Sequence, residues 1–288
     1  RVAEAHCERR VQDHHDGRGL NNPVGVFDSG VGGLSVLAAL RAELPHERFV
    51  YFADTAFAPY GERGDAYVIE RSRKVAEQLM AEHGIKALVV ACNTATTAAI
   101  HLLRAEHPAL PIVGLEPALK PAVATSRTGH IAVMATRGTL ASARYAALRD
   151  SFAGSANVRA VPCDGLVKAI EGFDTAAIAE LCARYMAEAG PFGDAPGQVD
   201  TVVLGCTHYP LVKNELQRHA PPALRFIDTG APVAQQARRV LASLGRLAAS
   251  GEGGLVLQGS GDPAVLEAAA AHWLQQPQAA PAAAATAA

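Results

Sequence analysis

The chain has 288 residues, 49% of them hydrophobic, and 26 Lys and Arg against 28 Asp and Glu give a formal charge of −2. That is enough apolar material for one large or two ordinary domains with a well-filled core. A near-neutral balance with no Lys/Arg block excludes an electrostatic nucleic-acid or lipid surface and favours a small ligand.

No stretch of the sequence approaches a membrane span, and the opening RVAEAHCERRVQDHHDGRG lacks the apolar centre of a signal peptide. Five cysteines, an odd set without CxxC spacing, argue for reduced thiols, so a cytoplasmic location is expected. In chain order, residues 1–22 read as a polar, disordered extension holding Cys7, His14 and His15. From there, β-branched apolar runs predict strands at 24–27, 49–53, 87–91, 111–115, 131–135, 157–161, 201–205 and 224–227. Amphipathic stretches between them predict helices over 32–44, 66–84, 97–107, 140–152, 174–190 and 210–220. The end, 275–288, reads as a disordered Ala/Pro tail.

Alternating strands and helices predict an α/β protein built on parallel sheets. The chain also repeats itself weakly: VGVFDSGVGGLSVLAAL opens one half much as IAVMATRGTLASARYAAL opens another. From Asp28 to Cys92 is 64 positions, and from its counterpart Thr136 to Cys206 is 70. We therefore expect two similar parallel-sheet α/β domains related by a pseudo-twofold axis. Ligands of such sheets bind beyond the carboxyl ends of the strands, which places the site in the cleft between the domains.

Four segments carry polar chemistry at strand ends. Asp28-Ser29-Gly30-Val31-Gly32-Gly33 lies between a strand and a helix and offers backbone amides to an anion. It lacks the Gly-Lys-Ser/Thr ending of a nucleotide loop, and Ser35 stands where a dinucleotide fingerprint has its third glycine. A tight turn, a carboxylate-binding role or an acid–base role for Asp28 and Ser29 fits better. Pro59-Tyr60-Gly61 lies in a turn-rich segment where the Tyr60 hydroxyl and the Gly61 amide can face a ligand, the alternative being a packing anchor. Cys92-Asn93-Thr94 and Cys206-Thr207-His208 each close an apolar run with a thiol and polar neighbours. A zinc site needs more ligands than Cys206-x-His208 supplies, so no metal is expected. Cys163 and Cys182 lack polar followers and read as packing residues.

Inverting a stereocentre by proton transfer needs a base on one face and an acid on the other, with the roles exchanged in the reverse reaction. Two pseudo-symmetric thiols meet that need, whereas cysteine-protease chemistry would leave one unexplained.

The motifs VGVFDSGVGGLSV, APYGERG, VVACNTATT, ATRGT and LGCTHYPL, in this order through most of residues 24–211, closely resemble those of the glutamate racemases of bacterial wall synthesis. Single pieces recur across the aspartate/glutamate racemase superfamily. The resemblance implies cofactor-independent, two-base interconversion of L- and D-glutamate, with Cys92 and Cys206 as alternating acid and base assisted by Asp28 and His208. By the same resemblance Asp28, Ser29, Tyr60, Gly61, Asn93, Thr94, Thr136, Thr207 and His208 line the substrate site, and GLVKAIEG supplies a further assisting carboxylate, Glu171. The first domain would comprise 24–116 plus 228–274, the chain crossing back over 226–241, and the second 117–227. The expected partner is the substrate glutamate, with no nucleic acid and no membrane; a homodimer is compatible with the sequence. Two alternatives stay open: an aspartate or other amino-acid racemase of the superfamily, and a non-catalytic binding protein for an acidic amino acid.

Overall fold

The computed structural model describes residues 19–274. The expected tail, 275–288, and the part of the expected extension that holds Cys7, His14 and His15 lie outside the described residues. Residues 19–22 form a turn in which the Asn22 side-chain amide donates to Gly84 O at 2.8 Å.

Strands β1 (Val24–Asp28), β2 (Arg48–Ala53), β3 (Ala87–Val90) and β4 (Ile112–Gly114) lie side by side in the order β4-β3-β1-β2, all parallel. A second sheet repeats that order as β8-β7-β5-β6, from β5 (His130–Ala135), β6 (Asn157–Pro162), β7 (Thr201–Leu204) and β8 (Arg225–Ile227). The repeat glimpsed in the sequence is thus a repeat of topology, each sheet belonging to one lobe. Every residue of β1, β3 and β7 is buried, the pattern of strands covered by helices on both faces.

The helices are α1 (Leu34–Glu43), α2 (Asp65–His83), α3 (Asn93–Glu106), α4 (Leu119–Thr125), α5 (Arg137–Ala141), α6 (Ala143–Asp150), α7 (Leu166–Glu171), α8 (Thr175–Ala189), α9 (Lys213–Arg218), α10 (Gly230–Ser243) and α11 (Pro263–Leu274). The single helix expected over 140–152 is in fact the end of α5 and all of α6. Ser142 divides them, its extended backbone stopping one helix while its hydroxyl accepts from Tyr145 N to start the next.

After β8 the chain returns to the first lobe. There α10 packs on α1, and β9 (Gly254–Gly259) joins the free edge of β2, with α11 against it. One buried apolar cluster runs from Val24 and Leu37 in the first lobe through Leu166 and Ile170 to Val202 and Leu204 in the second. The lobes therefore share a core instead of hanging from a linker. Among the described residues no helix is long and apolar enough to cross a membrane.

Candidate active site

A cavity of about 600 Å³ opens between the lobes at the carboxyl ends of the strands. Ser29, Tyr60, Gly61, Cys92, Asn93 and Thr94 line it from the first lobe, and Thr136, Cys206, Thr207 and His208 from the second. Asp28 and Glu171 stand directly behind this lining. The strand order explains the gathering: β3 and β7, which deliver the two thiols, each neighbour the strand that delivers Asp28 or Thr136.

Cys92 is 5% exposed and caps the N-terminus of α3, its Sγ accepting from Ala95 N at 3.4 Å. Its other polar neighbour is the Ser29 hydroxyl at 3.6 Å, which in turn lies 3.4 Å from Asp28 Oδ1. Burial, then the Asp28 charge, pushes the Cys92 thiol up to about 12, against the pull of Ala95 N and Ser29. The free site therefore holds a protonated thiol here at neutral pH.

Asp28, fully buried at the end of β1, accepts from Gly30 N at 2.7 Å and from the Thr207 hydroxyl at 2.9 Å. Burial pushes its carboxyl up to about 6, although the His208 charge and both of these donors favour the anion. Its titration range thus reaches that of an acid–base helper near neutrality.

Cys206 is 7% exposed, with His208 Nδ1 3.7 Å from its Sγ. His208 Nε2 meets Glu171 Oε1 at 2.6 Å, and the same oxygen accepts from Val31 N at 2.8 Å. Burial alone would lower the His208 pKa, but its hydrogen bonds to Cys206 and Glu171 raise it well above the ordinary value. Burial likewise works to raise Glu171, yet His208 and the Val31 amide hold it below the usual carboxylate range. An imidazolium–carboxylate pair results, and both imidazole nitrogens then act as donors.

The glycine loop has a different use from any anion cradle. A Cβ on Gly30 would come within 1.9 Å of Glu171 Oε1, and one on Gly32 within 2.3 Å of His208 Nδ1. On Gly33 a Cβ would lie 2.6 Å from Asp28 Cβ. The bare backbone is the seat into which the second lobe sets its histidine and glutamate. Ser35 Oγ completes the seam by donating to Thr207 O at 2.8 Å.

Asn93 is 4% exposed, and neither its amide nitrogen nor its carbonyl oxygen has a partner in the ligand-free site. A buried, unpaired amide lining a cavity is able to hydrogen-bond a polar ligand group. Thr136 caps α5 through its hydroxyl and packs close on Gly61. Tyr60 corrects one expectation. Its hydroxyl donates to Asp54 Oδ2 at 2.5 Å, because that carboxylate is fully buried and draws in donors, so the ring walls the cavity without offering its OH. Cys163, read from the sequence as packing, is 2% exposed, donates its thiol to Val161 O and also borders the cavity. At the rim, Arg137 pairs with Asp164. Both reach the cavity only through tertiary placement after β5 and β6, which no local motif signals. Among the described residues no group of three or more His, Cys, Asp or Glu is placed to hold a metal ion.

Two like α/β lobes with a buried thiol entering their shared cavity from each side define an isomerase of the racemase type. The Asp/Glu/Hydantoin racemase family matches residues 34–237, and the chain belongs to that family. It is 50% identical over 241 residues to a glutamate racemase of Stutzerimonas stutzeri, covering 84% of this chain and 89% of the relative. Glutamate racemase RacE1 from Bacillus anthracis superposes with a TM-score of 0.78 at 29% identity, over 88% of this chain and 94% of that one. Glutamate racemase from Francisella tularensis, solved in complex with D-glutamate, gives a TM-score of 0.75 at 25% identity, over 89% and 94% of the two chains.

Proposed function

We propose that the protein interconverts L- and D-glutamate, supplying the D-isomer for peptidoglycan, with one of Cys92 and Cys206 removing the Cα proton and the other delivering a different proton to the opposite face. The observation that carries this reading is the pair of thiols lining one cavity from corresponding strand ends. The named relatives and the D-glutamate complex support the substrate. In one direction a thiolate on the first face removes the Cα proton, leaving a carbanion stabilised by the adjacent carboxylate, and the thiol on the opposite face returns a proton. The reverse reaction exchanges the two roles, and no electrons leave the substrate.

Asp28, through Ser29, serves Cys92, while His208, held by Glu171, serves Cys206. Asn93, Thr94, Thr136 and Thr207 hold the polar ends of glutamate, with the Gly61 backbone beside them. Both thiols are buried, so the bound substrate excludes the water that would otherwise compete for the proton.

The test is racemisation in heavy water with no added cofactor or metal. Deuterium should appear at Cα of the inverted product, and Cys92→Ala and Cys206→Ala should each lower turnover by about 10³-fold or more. Retention of the original hydrogen, or near-parental turnover in either variant, would sink the two-thiol mechanism. A rate on aspartate equal to that on glutamate would move the substrate to the shorter acid.

A further inference from the structure

Behind the cavity wall lies a buried ionic cluster that the proton chemistry does not use. Asp54 follows β2 and is fully buried. Arg71, on α2, grips both its oxygens, NH2 to Oδ1 at 2.8 Å and Nε to Oδ2 at 2.9 Å. The Tyr60 hydroxyl takes the remaining face of Oδ2 at 2.5 Å. A buried charge is tolerated only when paired and fully hydrogen-bonded, so this geometry is held stiffly.

Every part of the cluster points to the loop between β2 and α2. Asp54 N donates to Asp28 O, tying the cluster to the strand that ends in the site, and Asp54 O accepts from Phe57 N to start the loop's first turn. The Arg71 guanidinium lies 3.4 Å from the centre of the Phe57 ring. Tyr67 OH, also on α2, donates to Phe57 O. Pro59 to Gly64 then form a continuous wall of the cavity, and Gly61 abuts Thr136 so closely that a Cβ there would lie 3.1 Å from it. Neither Asp54 nor Arg71 lines the cavity. The 60–62 turn of this wall packs against α3, the helix that Cys92 opens, and against α5 of the second lobe.

We propose that Asp54 and Arg71 are positioning residues that fix the 55–63 loop against the second lobe and thereby set the width of the substrate pocket. The proposal rests on the glutamate-racemase reading for its substrate. Its first consequence is on binding: loosening the cluster raises KM and leaves proton transfer nearly intact.

Asp54→Asn keeps the side-chain shape and removes the charge that Arg71 grips. KM for glutamate should rise about fivefold, with kcat within about twofold of the parent. Arg71→Lys, which replaces a two-pronged grip by a point charge, should raise KM about tenfold or more. A loss confined to kcat, or parental constants in both variants, overturns the proposal. Amide hydrogen exchange provides a readout independent of turnover: in both variants exchange should accelerate over 55–63 and stay parental in β5 and β7. Unchanged exchange over 55–63 refutes the positioning role even if activity falls. An inactive parent protein with accelerated loop exchange in the variants would instead reject the glutamate reading and keep the role of the cluster.

Discussion

Cys92 and Cys206 follow corresponding strands of two similar lobes, yet their surroundings differ in kind. The first thiol caps a helix and looks through a serine to a carboxyl group raised to about 6. The second faces an imidazole clamped by a carboxylate and a backbone amide. A stereocentre demands equivalence only at the two atoms that exchange its proton. The other groups of an amino acid are not mirror-related across the cleft, so the helpers behind each thiol are free to diverge. Repeated topology with unlike helpers is the expected result.

The largest effect that tests this contrast comes from removing one helper at a time. His208→Asn and Asp28→Asn should each slow racemisation by about 10²-fold or more, the usual worth of acid–base assistance. Enantiomers have equal free energy, so kcat/KM must fall equally in both directions. The asymmetry should appear in the Cα-deuterium isotope effect, which should rise for one enantiomer in His208→Asn and for the other in Asp28→Asn. Equal rises for both enantiomers in both variants would break the pairing of helper with thiol.

A smaller effect probes the seat of the second helper. Gly32→Ala places a methyl where His208 Nδ1 now lies, 2.3 Å away, so the imidazole must withdraw from Cys206. We expect kcat to drop about tenfold and stability by about 1–3 kcal/mol, read by turnover and urea denaturation. Parental kcat would show that the imidazole position does not matter.

A last effect concerns the first helper and is read in stability alone. Asp28 has a folded pKa of about 6 against an ordinary value of 3.8, so the folded state binds the extra proton between these values. Its contribution to stability is fully present below about pH 4 and is lost as pH rises through 6, a difference of about 3 kcal/mol at most. Asp28→Asn should remove that fall, so the variant gains on the parent as pH increases. Parallel stability profiles for the two proteins would show that Asp28 is not buried as an acid.

Much of this was legible in the sequence because strand ends announce themselves. An apolar β-branched run stopped by Cys-Asn-Thr or Cys-Thr-His has only one reading in an α/β chain, and eight of the strands lie within two residues of their expected bounds. β9, GLVLQG, carries no such signal: glycines bracket it and valine is its one β-branched residue, so its pairing with β2 depends on the tertiary return of the chain. Glu171 was reached through family resemblance alone, and its contact with Val31 spans 140 positions. The role of Gly30 and Gly32 was hidden for the same reason. A glycine that admits a distant side chain looks, in sequence, like one that merely turns the chain. Asp54 and Arg71 carry no local motif, and only packing shows that they share a buried cluster with Tyr60.

The cap on α3 has a practical consequence for anyone who mutates the protein. Cys92 is both a thiol in the cavity and the residue that opens a 14-residue helix. Replacing it with alanine removes the thiol proposed to carry a proton and also frays the turn that presents Asn93 and Thr94, at a cost of about 1 kcal/mol. Serine restores the cap without restoring the thiol chemistry, so comparing the two substitutions separates architecture from reactivity at this position. At Cys206, which caps no helix, the same comparison should show no such difference.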